Sequence, residues 1–142
     1  MTDTAARAAV LQDAMYAAIT GDQALIERAY TEDVTGWSPV LSVASREELT
    51  ADLQGRTAAF SEVDVTLDPV DAVGDKLIAE WRVAITHSGL LTLDEEVALE
   101  ATGRRIELRG VVIAEFEGDR IRGFRQYWDE ADLLEGLGLL PV

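Results

Sequence analysis

Apolar residues in the first part of the chain recur at the spacing of an amphipathic helix. Residues 4–19 are rich in alanine, and their apolar positions repeat every three or four residues, which predicts a first helix. Gly21 is suited to end this helix, because glycine commonly follows the last helical turn. Asp22 is suited to cap a second helix that is predicted from Gln23 to Tyr30.

A short strand and a third helix are predicted next. Residues 33–39 favour a strand that Pro39 stops, since proline donates no ladder hydrogen bond. Ser45 followed by Glu48 forms a capping box, in which each side chain can bond the other end of the first helical turn. The third helix is predicted to begin there and to run to about Phe60.

Further along the chain the apolar period changes from that of a helix to that of a strand. The Gly-Asp pairs at 74–75 and 118–119 mark turns between the segments. The predicted strands are 63–74, 76–89, a weaker 97–102, 106–116 and 120–128. Helices followed by an antiparallel meander predict an α+β fold, with three N-terminal helices packed on one face of a curved, mainly antiparallel sheet. No linker or repeat divides residues 1–142, so a single domain is expected.

Charge and composition then exclude several kinds of chemistry. Acidic residues number 27 against 12 basic ones, and the formal net charge of −15 argues against nucleic-acid or anionic-membrane partners. The chain has no cysteine and one histidine, His87, which excludes thiolate sites and two-histidine metal motifs. No phosphate-binding glycine loop and no long apolar run is present. We therefore expect a cytoplasmic protein that uses no metal and no cofactor.

Two stretches of the chain are similar to one known family. The stronger is ATGRRIELRGVVIAEFEGDRIRGFRQYWDEADLLEGLGLLP (residues 101–141), and the weaker combines Gly21-Asp22 with Tyr30 to Pro39. Both resemble the SnoaL-like polyketide (ester) cyclase group of the nuclear-transport-factor-2-like (NTF2-like) superfamily. The resemblance implies a cone, in which the sheet curls around a pocket that the first helix closes, and a homodimer. It leaves the activity open, because this fold carries cyclases, isomerases, epoxide hydrolases and plain binding domains.

Positions that hold acids and bases in relatives of this fold carry other residues here. The carboxylate of the steroid-isomerase relatives falls on Ser38, and an Asp or His of those relatives and of many ester cyclases falls on Val112. The Arg–Asp pair of the epoxide-hydrolase relatives falls on Trp81 and Val83, and their second carboxylate falls on Gln126. Three known active sites therefore lack their central ionisable groups.

One position does match the cyclase group. Asp129 corresponds to an aspartate at the end of that group's last strand, where the resemblance implies an acid/base role. The alternative is that Asp129 only caps a short terminal helix. His87 shares a strand face with Trp81, so we expect it either at the pocket rim or exposed in a turn.

Strand alternation selects the expected pocket wall. The predicted ligand-contacting residues are Ser38, Trp81, Val112, Phe124, Gln126 and Trp128, and the predicted catalytic residues are Asp129 and His87. Trp37 has the opposite parity to Ser38 and is expected to pack against helices.

The leading hypothesis is a cofactor-independent acid/base cyclase or isomerase that acts on an apolar polyketide- or terpenoid-like molecule. The alternatives are a non-catalytic small-molecule-binding or dimerisation module, and an epoxide hydrolase.

Overall fold

The computed structural model describes residues 4–54, 58–92 and 97–139. In these residues the helices are α1 (Thr4–Thr20), α2 (Gln23–Ala29), α3 (Arg46–Gln54) and α4 (Glu130–Gly136). The strands are β1 (Tyr30–Ser38), β2 (Leu41–Val43), β3 (Phe60–Val73), β4 (Lys76–His87), β5 (Leu91–Thr92), β6 (Ala98–Leu99), β7 (Arg105–Glu117) and β8 (Arg120–Trp128). Three helices with a strand among them, followed by long strands, confirm the predicted α+β class.

Six strands form a curved sheet in the order β2-β1-β8-β7-β4-β3, and β5 pairs with β6 in a separate ribbon. The predicted meander is confirmed, because β3, β4, β7 and β8 pair antiparallel in succession. The first strand joins the sheet differently, since β1 runs parallel to β8 and antiparallel to β2. The curved sheet therefore continues past β8, the last strand of the chain, by adding the N-terminal strand β1 beside it.

The helix caps that the sequence predicts are present in the structure. The Asp22 carboxylate accepts a hydrogen bond from Leu25 N at 3.2 Å and caps α2. Ser45 Oγ accepts from Glu48 N at 3.0 Å, while Glu48 Oε2 accepts from Ala44 N at 2.7 Å. The capping box is thus present, with the glutamate bonding one residue further back than the standard pattern.

The predicted end of the third helix is wrong. The helix α3 ends at Gln54, and Phe60 is the first residue of β3, where it pairs with His87. A register shift between Ser61 and Asp64, with Glu62 at φ 50°, interrupts the alternation at this point and obscures the strand. The part of the prediction that covers residues 55–57 lies outside the described residues.

One end of the cone is filled by a packed core and held by a buried arginine. Arg7 of α1 donates from Nε to Gly118 O at 3.1 Å and from its terminal nitrogen to Asp75 at 3.3 Å. Its guanidinium also lies 5.1 Å from the centre of the Phe116 ring. One side chain therefore ties α1 to both hairpin turns, and the cavity forms towards the other end of the strands.

None of the helices in the described part of the chain is long and apolar enough to cross a membrane.

Candidate functional site

The inner face of the sheet and helices α1, α3 and α4 enclose a cavity of about 310 Å³. Its volume is at the lower end of the range that small-molecule pockets occupy. The lining is mostly aliphatic and aromatic, and it comprises Met15, Ala18, Ile19, Tyr30, Ser38, Val40, Leu41, Leu49, Leu53, Phe60, Trp81, Val83, Ile85, Leu91, Thr92, Leu108, Phe124, Gln126, Trp128, Glu130 and Leu133. The helices supply the lid and the strands supply the wall.

Strand alternation brings most of the predicted ligand-contacting residues together. Ser38, Trp81, Phe124, Gln126 and Trp128 all line the cavity, as their inward parity predicts. They come from β1, β4 and β8, which sheet pairing places on one concave surface.

Two glycines allow aromatic rings to lie flat in this wall. Phe124 lies against Gly36 of the neighbouring parallel strand, and a Cβ atom at Gly36 would overlap the tip of its ring. Trp81 lies over Gly110, where a Cβ atom would be 2.5 Å from the indole Cζ2 and 2.8 Å from Cε2. The sequence analysis did not identify what the two glycines do. Their signal was an isolated glycine inside a strand pattern, which often marks a close approach.

The phenol of Tyr30 adds a buried hydroxyl group to the same wall. Its ring packs against Phe124 with centroids 5.7 Å apart, and the side chain is almost completely buried. Burial raises the pKa of the Tyr30 phenol far above its ordinary value, because the charged phenolate would be desolvated. Tyr30 is therefore a neutral group at physiological pH.

Some polar atoms of the cavity wall have a hydrogen-bond partner and others do not. Gln126 Nε2 donates to Met15 Sδ at 3.1 Å, and Ser38 Oγ accepts from Val40 N at 3.2 Å. Within the described residues, Gln126 Oε1 and Trp81 Nε1 are buried and have no hydrogen-bond partner. An acceptor and a donor thus remain unpaired in side chains that line one cavity.

Asp129, the predicted catalytic carboxylate, does not belong to the described cavity lining. It is exposed, and its Oδ1 accepts a hydrogen bond from Ala131 N at 2.9 Å as the N-cap of α4. The next residue, Glu130, lines the cavity instead. The sequence analysis did not identify Glu130, because strand alternation ends with β8 at Trp128 and Glu130 is the first residue of α4.

The structure places His87 in neither of its two expected positions. The side chain is completely buried and is not among the described lining residues. Its Nδ1 lies 3.2 Å from Thr102 N and 3.0 Å from Thr102 Oγ1, and its ring packs against Phe60 with centroids 5.9 Å apart. Backbone hydrogen bonds join His87 to Gly103 and Arg104. They hold the segment that contains Thr102 over the histidine side chain, which is therefore buried.

Two other expectations need correction. Val112 points to the inner side but is completely buried in the hydrophobic core, between its sheet partners Ala79 and Gln126, and is not part of the lining described. Trp37 is 43% exposed and lies 5.3 Å from the ring of Tyr127 on the outer face of the sheet. In the described part of the chain, α1, α3 and α4 line the cavity on the inner face, so the parity of Trp37 directs it away from them.

No group of three or more histidine, aspartate or glutamate side chains in residues 4–54, 58–92 and 97–139 converges to hold a metal ion. The absence of a cofactor stays a prediction from the sequence.

Comparison with known proteins identifies a matching family and solved structures of similar fold. Residues 11–124 match the family model described as SnoaL-like domain. A sequence comparison with curated proteins gives no match.

Solved structures share the whole architecture at low sequence identity. TsrD from Streptomyces laurentii is 19% identical with a TM-score of 0.78, covering 99% of this chain and 100% of its own. AclR from Streptomyces galilaeus, proposed to be a hydroxylase, is 22% identical with a TM-score of 0.76 and coverage of 98% and 100%. IdmH from Streptomyces antibioticus, proposed to be a polyketide cyclase, is 18% identical with a TM-score of 0.72 and coverage of 93% and 98%. At these identities the likeness shows the fold alone.

Proposed function

Since the chain belongs to the family of SnoaL-like domains, we propose that its cavity binds a flat, apolar molecule of the polyketide or terpenoid kind and catalyses acid/base cyclisation or isomerisation on it. The observation that carries the proposal is an aromatic-walled cavity of about 310 Å³ with one carboxylate, Glu130, among its described lining residues. Aromatic and aliphatic walls favour a ligand with a large apolar surface.

Glu130 is the group that we propose for proton transfer. Ring closure by aldol addition needs a base that removes a proton next to a carbonyl group, and an acid that returns a proton to the new alkoxide. A carboxylate within reach of the bound ligand can serve in both steps. Asp129 is the less suitable candidate, because it is directed out of the cavity and its carboxylate caps α4.

The second candidate function is binding without catalysis. It is favoured by the exposed position of Glu130 and by the absence of any histidine, aspartate or second glutamate from the described lining. A base needs a fixed geometry and partial shielding from water to be efficient. The aromatic wall would then serve only to bind and retain its ligand. An epoxide hydrolase is disfavoured, since the described lining holds one carboxylate and no carboxylate pair around a water molecule.

Assembly is a further part of the proposal. We propose a homodimer through the outer face of the sheet, where Trp37 and Tyr127 form an exposed aromatic pair. Arg82 and Arg109 lie directly opposite each other on this face, which is unfavourable unless an anion is near. In a two-fold symmetric dimer, the same face of the second copy, which also carries Glu80 and Glu107, can provide that charge. We propose a cytoplasmic location and no cofactor on the sequence alone.

The test uses 2-tetralone, a flat ketone whose acidic α-protons exchange with deuterium in D₂O. If Glu130 is the base, the protein accelerates this exchange, and Glu130→Gln lowers the acceleration by about 10²–10⁴-fold while binding is kept. Asp129→Asn is the matched control, because asparagine caps helices nearly as well as aspartate and the exchange should persist. Binding without any acceleration would support the non-catalytic candidate. A wild-type protein that binds no flat apolar ligand would overturn the proposal.

A further inference from the structure

Two buried polar atoms in the cavity wall have no partner among the described residues: Trp81 Nε1, a donor, and Gln126 Oε1, an acceptor. Buried polar groups in folded proteins are nearly always paired, because an unpaired one loses its bonds to water and gains none in return. Both side chains line the same cavity. A single ligand that both accepts and donates hydrogen bonds could pair with both atoms.

The position of the indole N–H follows from the packing of Trp81 on Gly110. The two residues pair across β4 and β7, and the indole atoms nearest to Gly110 are Cζ2 and Cε2. Because Cε2 is bonded to Nε1, the N–H group lies above β7 and not at the edge of β4. A side chain at position 110 would displace it.

The direction of the Gln126 amide oxygen follows from the hydrogen bond that the nitrogen of the same amide makes. Gln126 Nε2 donates to Met15 Sδ of α1 at 3.1 Å, so the oxygen is turned away from that sulfur. Gln126 lies on β8, the strand next to β7, two residues before Trp128, which is the partner of Gly110. The donor therefore lies above one strand and the acceptor extends from its neighbour, on the same concave surface.

We propose that Trp81 and Gln126 select a flat ring system that carries a carbonyl group and a hydroxyl group. The carbonyl oxygen accepts from Trp81 Nε1, and the hydroxyl group donates to Gln126 Oε1. The ligand carries no negative charge, because no arginine or lysine belongs to the described lining and a buried anion would have no counter-charge. This inference rests on the proposed use of the cavity and adds the functional groups that the cavity recognises.

Four bicyclic probes separate the two anchors. Tetralin carries neither group, 1-tetralone carries the carbonyl, 5,6,7,8-tetrahydro-2-naphthol carries the hydroxyl, and 6-hydroxy-1-tetralone carries both. Affinities are measured by isothermal titration calorimetry, and the result is the affinity of each probe divided by that of tetralin. This ratio cancels the general loss of packing that a smaller side chain causes.

Trp81→Phe should lower the ratio for 1-tetralone by about three- to tenfold and leave the ratio for the naphthol unchanged. Gln126→Met should do the reverse, since methionine keeps the length of the side chain but not its oxygen. Trp37→Phe removes an indole from the outer face and should change neither ratio.

Three other outcomes would each contradict a specific part of the proposal. If all four probes bind and neither variant changes its ratio, the anchors are wrong while the cavity proposal stands. If Trp37→Phe changes the 1-tetralone ratio as much as Trp81→Phe does, the assignment to Trp81 is wrong. If no probe binds to the wild-type protein, the proposed function fails and this inference fails with it.

Discussion

Replacing Gly36 by alanine tests whether the aromatic wall depends on the glycines beneath it. Gly36 of β1 pairs with Phe124 of β8, and an added Cβ atom would overlap three atoms at the tip of the Phe124 ring. The ring must then turn away from the strand, and it is already packed against Tyr30. We expect Gly36→Ala to lower both the free energy of unfolding and the affinity for flat ligands.

The magnitude follows from two opposing effects. Forcing extra volume into a packed site costs about 1–3 kcal/mol. Replacing glycine by alanine returns about 0.4–1 kcal/mol, because the unfolded chain loses conformational freedom. The net expectation is a loss of about 1–2 kcal/mol. An unfolding entropy of about 2 cal/mol/K per residue corresponds to about 0.3 kcal/mol/K for 142 residues. The melting temperature should therefore fall by about 3–7 °C.

Gly123→Ala is the matched control, one residue before Phe124 on the same strand. A Cβ atom there would meet its nearest neighbour, Thr35 Oγ1, at 3.5 Å, which is an ordinary contact. This variant should be as stable as the wild type or slightly more stable. Urea unfolding followed by circular dichroism measures all variants on one scale.

A double variant identifies the Phe124 ring as the cause. Phe124→Leu removes the atoms that the new Cβ would overlap, so its effect in the Gly36→Ala background should be smaller than in the wild type by about 1 kcal/mol or more. Strictly additive effects, or a Gly36→Ala protein as stable as Gly123→Ala, would refute the reasoning.

The remaining predictions concern alkaline stability and assembly. Above pH 10 the unfolded chain loses the proton of Tyr30 while the buried phenol keeps it, since burial raises its pKa. The free energy of unfolding should thus fall with rising pH by up to about 1.4 kcal/mol per unit. Tyr30→Phe should remove this part of the fall in urea titrations at pH 9–11, whereas Tyr16→Phe, on an exposed ring, should leave it in place. Sedimentation at micromolar concentration should give twice the 15.5 kDa chain mass, and Trp37→Glu should give the single mass. A wild-type protein that sediments at 15.5 kDa contradicts the dimer.

Most of the fold could be predicted from local patterns, because the helix caps and the strand alternation are properties of neighbouring residues. Asp22 and Ser45 cap the helices that their spacing predicts. Alternation along β4 and β8 places Trp81, Phe124 and Gln126 on the inner face, where they line the cavity. A period of two assigns faces without knowledge of the partner strands.

Only the tertiary structure decided which inward residues reach the cavity and which polar groups are unpaired. Val112 shares a face with the cavity wall yet lies in the core, and His87 is covered by a segment that folds back through Thr102. Gly36 meets Phe124 only because β1 joins β8 in parallel, a pairing between distant parts of the chain. Local pattern sets the face of a residue, but its depth, its cover and its hydrogen-bond partners depend on chain segments far away in the sequence, so they are determined only when the sheet and helices pack together.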